Sequence, residues 1–107
     1  MVVLRGLGAT ASSATGVVRI VTDDASAKEF SRGDILATQM TSPDMMELLL
    51  KASGWVTAHG GRTCHAAVVA RQMNKPCVVG LGDGFRSIRS GGFVTVDGVN
   101  GTVTLLD

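Results

Sequence analysis

Tyrosine is absent from this sequence, and aromatic residues make up only 4% of it. A single-strand nucleic-acid platform stacks bases on successive aromatic rings, so that class of function has no material here. No basic run occurs and the formal net charge is +1, so the electrostatic footprint of a nucleic-acid binder is missing too. No apolar stretch reaches the ~20 residues that a spanning helix needs. The N-terminus has no charged region followed by a long apolar one. The expectation is a cytoplasmic domain with neither nucleic acid nor membrane as partner. Cysteine is limited to 2 residues, too few for a disulfide scaffold and in keeping with a reducing compartment. Glycine is plentiful instead, at 14 of 107 residues. That length gives one small domain, residues 1–107, with a modest core.

Hydrophobic periodicity divides the chain into short elements. Met1 to Leu4 reads as an apolar strand or lead-in, Gly6 to Ser13 as a loop, and Gly16 to Val21 as a strand. Asp23-Asp24 marks a turn or helix cap before a short helix over Ala25 to Phe30. Ile35 to Thr38 is a strand. Ser42-Pro43-Asp44 starts a helix, with Ser as N-cap and Pro at the first helical position, running to about Ala52. Met45, Met46, Leu48, Leu49 and Leu50 supply its packing. Trp55 to Thr57 and Cys77 to Val79 are short strands, Phe85 to Ile88 one helical turn. Phe93 to Asp97 and Thr102 to Leu106 form a hairpin across Gly98-Val99-Asn100-Gly101. Strands and helices mix without strict alternation, which predicts a layered α/β domain.

The most informative stretch runs from Gly60 to Arg71. Ala66, Val69, Ala70 and Met73 fall at i, i+3, i+4 and i+7, one buried helix face. Thr63 stands where an N-cap belongs, which makes Cys64 and His65 the first two helical residues. Backbone N–H groups and the positive end of the helix dipole there favour anions. Gly60 and Gly61 allow a phosphate to approach the main chain. A histidine so placed is biased toward its neutral, nucleophilic form, and donors already stand ready for a phosphoryl group on it. Histidine near a helix start also occurs as plain polar surface or as a satisfied core group.

Gly60-Gly61-Arg62-Thr63-Cys64-His65-Ala66-Ala67, with Ala70-Arg71 and Lys75-Pro76-Cys77-Val78-Val79-Gly80, resembles the phosphohistidine signature of the phosphoenolpyruvate-utilising enzymes. That family spans pyruvate phosphate dikinase, phosphoenolpyruvate synthase and enzyme I of the sugar phosphotransferase system. The Arg-Thr-Cys form is most similar to the synthase. Gly6-Leu7-Gly8-Ala9 with Ala14-Thr15-Gly16, Asp34-Ile35-Leu36 with Thr41-Ser42-Pro43-Asp44, and Asp97-Gly98 with Asn100-Gly101 resemble further blocks of the same domain. One departure is Ala58-His59, where relatives often carry an acidic residue or asparagine.

The resemblance implies the swivelling β/β/α layered fold and a phosphoryl-carrier role. His65 is then the covalent nucleophile. Gly60, Gly61, Arg62 and Thr63 line the phosphate site, although Arg62 serves equally well for docking a partner domain. Thr63 is further implied as a regulatory phosphorylation site for a dedicated kinase/phosphatase, and Thr41 and Cys64 as supporting residues. The implied partners are an ATP-binding domain and a phosphoenolpyruvate/pyruvate-binding barrel domain. No cofactor is expected on this domain itself, with Mg and ATP belonging to the parent enzyme. The chain is expected to be a domain excised from such an enzyme and inactive alone, or a free-standing or regulatory module. Relatives with other acceptors, such as antibiotic phosphotransferases, use the same carrier.

Other chemistries fit less well. His59, Cys64, His65 and Cys77 do not follow the spacing of a zinc ribbon or finger. Adjacent helical residues do not face each other, which weakens a Cys64–His65 nucleophile–base pair. Cys64 at a helix start invites a lowered thiol pKa, whereas Cys77 reads as a core thiol. No Gly-Lys-Ser/Thr follows the glycine pair, so it is not a P-loop.

Overall fold

The computed structural model describes residues 1–106. The elements are β1 (Val2–Arg5), β2 (Leu7–Gly8), β3 (Ser13–Ile20), α1 (Asp24–Lys28), β4 (Ile35–Thr38), α2 (Met46–Lys51), β5 (Gly54–Thr57), α3 (His65–Met73), β6 (Cys77–Val79), β7 (Phe93–Asp97) and β8 (Thr102–Leu106). Short 3₁₀ turns occupy Pro43–Met45 and Gly82–Ser87. The strands order as β1-β8-β7-β3-β4-β5-β6-β2. β3 to β6 run parallel, joined by α1, α2 and α3, while β1, β8 and β7 are antiparallel.

β3 is the corner of the fold. Its first part, Ser13 to Val17, pairs with β7, and Val18 to Ile20 pair with β4. The sheet thereby folds over itself. Val18, Ile35, Ala37, Val56 and Val78 pack against Leu4, Val94, Val96 and Val103. On the opposite face of the same strands, Leu36, Trp55, Cys77 and Val79 pack against Leu49, Ala66, Ala67 and Ala70 of the helices. Two strand layers and one helix layer result, the expected β/β/α arrangement. Parallel strands apolar on both faces are what such burial requires, which is why β4 and β6 appear in the sequence as unbroken apolar runs.

Several local expectations need correction. The loop expected over Gly6 to Ser13 contains β2, and β3 starts at Ser13 rather than Gly16. Both extensions are imposed by partners. β2 pairs with Val78 and Val79 of β6, and Thr15 shares a hydroxyl hydrogen bond of 2.7 Å with Thr95. Glycine is required at position 8, because a Cβ there would lie 2.1 Å from the Gly98 carbonyl oxygen. The single helix expected from Pro43 splits into a 3₁₀ turn and α2. Ser42 has the extended N-cap backbone, yet its hydroxyl bonds Asp44 instead of a first-turn amide. Lys75 finishes α2 from outside by donating to the carbonyls of Leu49 and Leu50 at 3.0 and 2.9 Å.

Two carboxylates, one exposed and one half-buried, hold turns in place. Asp23 caps α1 in a reciprocal box with Ser26, accepting its amide at 2.8 Å. Asp97 accepts from the amides of Val99 and Asn100 and from the Asn100 side chain. These bonds hold both carboxyls below the ordinary carboxylate range, through Ser26 for Asp23 and Asn100 for Asp97. A depressed folded pKa gives stability that is present above the unfolded pKa of about 4 and is lost as pH falls through the folded value. Thermal melts from pH 5 to pH 2 are expected to show this loss. The Asp23→Asn, Asp97→Asn double variant should show a shallower acid slope, and an unchanged slope would refute the assignment.

Candidate functional site

The loop joining β5 to α3 is built from the end of the parallel sheet. Thr57, fully buried, donates its hydroxyl to the His59 carbonyl at 2.6 Å. The amides of Ala58 and His59 continue the β4 ladder to the carbonyls of Thr38 and Gln39. Gly60 then takes φ +118°, a left-handed-side conformation that favours glycine. A Cβ at Gly60 would also stand 2.8 Å from Cys64 Sγ, while the same atom on Gly61 meets open space. Cys64 donates its amide to the Gly61 carbonyl at 3.1 Å, and the helix begins.

That last bond moves the helix start by one residue. Cys64 is the N-cap, with φ −71° and ψ 166°, and no side chain caps the first turn. Thr63 is therefore not the cap, and His65 is the first helical residue rather than the second. The first helical bond runs from Val68 to the Cys64 carbonyl at 3.0 Å. Thr63 and Arg62 are exposed, whereas Cys64 and His65 are half-buried. Thr63→Val is accordingly expected to change stability by less than about 0.5 kcal/mol, as at an ordinary surface position, instead of the ~1 kcal/mol that a lost cap costs. Denaturant titration of the two proteins measures the difference directly.

The side chain that meets His65 comes from the loop that follows β4. Thr41, 4% exposed, places Oγ1 2.8 Å from His65 Nδ1. An imidazole held at Nδ1 has Nε2 as its remaining ring nitrogen. If Nδ1–H donates to Thr41, Nε2 keeps its lone pair; if the hydroxyl donates to Nδ1, Nε2 carries the proton. Of the residues singled out from sequence, Gly60, Gly61, Cys64, His65 and Thr41 thus converge. Arg62 and Thr63 sit on the same loop facing solvent. His59 is exposed on the preceding turn.

Two contributors had no clear signal in the sequence. Thr57 braces the loop from a buried strand end. Trp55, on the same strand, donates its indole N–H to the Ala66 carbonyl at 3.0 Å. A lone tryptophan shortly before a glycine pair was the one available hint. Cys77, beneath α3, is buried, and burial pushes its thiol up to about 12, so it stays protonated at neutral pH. Among the described residues no three His, Cys, Asp or Glu side chains gather as a metal site, and no helix is long and apolar enough to cross a membrane. A cleft of about 750 Å³ lies between α1 and the entry to α2, with Met40 on its wall, and no residue of the loop from His59 to His65 lines it.

The family described as "PEP-utilising enzyme, mobile domain" matches residues 30–101. The chain belongs to this family. It is 43% identical over 102 residues to the phosphoenolpyruvate synthase of Pyrococcus furiosus, covering 95% of this chain and 12% of that protein. It is 44% identical over 103 residues to the phosphoenolpyruvate synthase of Aeropyrum pernix, covering 95% and 13%. The mobile domain thus spans a small fraction of the length of the curated relatives it matches. Among solved structures, an NMR structure of Enzyme I aligns at TM-score 0.60 and 32% identity, covering 69% of this chain and 31% of that one. Thermococcus kodakaraensis aconitase X aligns at TM-score 0.75 but 16% identity, over the full length of both chains, and shares the fold alone.

Proposed function

We propose that this mobile domain carries a phosphoryl group on His65 Nε2 within a phosphoenolpyruvate synthase- or dikinase-type enzyme. It shuttles the group between an ATP-binding domain and a pyruvate/phosphoenolpyruvate-binding barrel domain, of the same chain or of separate proteins. The observation that supports this most is the 2.8 Å bond between Thr41 Oγ1 and His65 Nδ1 at an uncapped helix start inside the family motif. With Nδ1–H donating to Thr41, the Nε2 lone pair attacks phosphorus. The bond from phosphorus to the donor's bridging atom breaks, and the leaving group departs with that electron pair. Nδ1 retains its proton throughout. In the transfer onward, pyruvate loses a methyl proton to a base of the barrel domain, its enolate oxygen bonds phosphorus, and the P–Nε2 bond breaks with the electron pair returning to Nε2.

In this reading the backbone of Gly60 and Gly61 and the open first turn of α3 receive the phosphate, with Thr63 and Arg62 at its edge. ATP and Mg are held by the partner domain, in a cytoplasmic setting. The chain alone should not turn over ATP or pyruvate. The test is a phosphate-sized mass gain on incubation with the partner domains and donor, lost on brief acid treatment but stable in base. Absence of that gain, with partners shown to be competent on an Enzyme I-type or synthase carrier, contradicts the proposal.

Thr63 fits a regulatory site because its hydroxyl is exposed and uncommitted to a cap. A phosphate there adds about −1.5 to −2 charges beside the donors that phosphorylated His65 needs. Thr63→Asp is expected to slow phosphorylation of His65 severalfold relative to Thr63→Ser, with both variants folded. Equal rates would show that charge at Thr63 does not control the site.

A further inference from the structure

We infer that Trp55 is a positioning residue for His65, fixing the turn of α3 that carries the imidazole through a hydrogen bond to the Ala66 carbonyl. The inference rests on the reading of His65 as the phosphoryl carrier. Leu36, Trp55 and Cys77 pair across β4, β5 and β6 in one row, and all three pack into the helix-side core. α3 meets that row with Ala66, Ala67 and Ala70, each fully buried. Methyl groups let the helix approach closely but form shallow ridges, so dispersion alone resists sliding weakly.

A polar grip removes that freedom. Trp55 is fully buried, and its indole has a single donor, which an apolar core leaves costly unless paired. Its partner is the Ala66 carbonyl at 3.0 Å, and Cys77 Sγ approaches the same oxygen at 3.8 Å. The next residue toward the N-terminus is His65, whose 2.8 Å bond to Thr41 tolerates little axial drift. Arg71 makes a second grip, Nε to the Ala9 carbonyl at 3.0 Å, but from an exposed residue further along the helix. Trp55 acts on the turn that carries His65. By holding Nδ1 against Thr41 it keeps the ring in one hydrogen-bonded orientation, the one in which, with Nδ1–H donating as the carrier reading requires, Nε2 keeps its lone pair.

The test uses the 107-residue chain, Trp55→Phe, and the chain carrying at position 55 a tryptophan analogue with sulfur in place of the ring N–H. The analogue keeps the shape and removes only the donor. Two readouts are taken: the ¹⁵N shifts of the His65 ring, and the rate of phosphorylation by phosphoramidate. In that reaction Nε2 bonds phosphorus and the P–N bond of phosphoramidate breaks to release ammonia. The expected result is a move of the His65 ring from one dominant tautomer toward the free-imidazole mixture. The phosphorylation rate is expected to fall about tenfold, the scale of one lost hydrogen bond. If Trp55→Phe does not fold, the analogue decides. A donor-free chain with wild-type shifts and wild-type rate overturns the inference, and so does a shifted tautomer with an unchanged rate. If the wild-type chain takes no phosphate from any donor, the carrier reading fails instead, while the shifts still decide whether Trp55 anchors the ring.

Discussion

His65→Asn is expected to take up no acid-labile phosphate under conditions in which the wild-type chain is phosphorylated to completion. Asparagine has no nucleophilic ring nitrogen, so the covalent step has no substitute. His65 is half-buried at the first helical position, and its ring nitrogen Nδ1 is hydrogen-bonded to the Thr41 hydroxyl. The fold should therefore survive the change with a stability loss of about 1 kcal/mol. Intact mass with and without acid treatment reads the phosphate, and a thermal melt confirms the fold. His59→Asn is the matched control. His59 is exposed on the turn before Gly60, and its removal should leave uptake intact. Phosphate on the His65→Asn chain, or its loss only in His59→Asn, would reassign the carrier.

Thr41→Val is expected to slow phosphorylation of His65 by roughly tenfold to a hundredfold, by analogy with the loss seen when the partner that orients a metal-ligating imidazole is removed. Valine matches threonine in shape and lacks the hydroxyl. Thr41 is 4% exposed, so solvent does not simply replace it. Without Oγ1, nothing holds the proton on Nδ1, and the tautomer with Nε2 protonated gains population at the expense of the nucleophile. Thr41→Ser keeps the hydroxyl and should retain most of the rate. A Val variant as fast as the Ser variant would mean that Thr41 is a packing residue only.

The strands that the sequence predicted to the residue are those whose pattern reports burial directly. Ile35–Thr38 and Cys77–Val79 are apolar on both faces because both faces are covered, and Phe93–Asp97 with Thr102–Leu106 is bracketed by a turn whose Asp97 and Asn100 make local bonds. β2 and the first residues of β3 were invisible for the opposite reason. Leu7–Gly8 has no strand propensity of its own and pairs only because β6 and the Gly98 turn lie against it.

The site shows the same division. Gly60, Gly61 and His65 announce themselves, since a positive φ and a helix start leave marks in sequence. The exact start did not: Thr63 is chemically the better cap, but the Cys64-to-Gly61 bond holds Thr63 outside the helix. The pairing of Thr41 with His65, 24 positions away, depends on the parallel register of β4 beside β5. Without the family resemblance, only the fold could reveal that register.

The most direct test of this account is the position of the phosphate itself. NMR of the ¹⁵N-histidine-labelled chain, phosphorylated and kept at alkaline pH, distinguishes phosphorus on Nε2 from phosphorus on Nδ1 and identifies which histidine bears it. The predicted result is one phosphorylated ring, His65, with phosphorus bonded to Nε2 and a proton on Nδ1 held by Thr41. Phosphorus on Nδ1 of His65, on His59, or on a hydroxyl would contradict it.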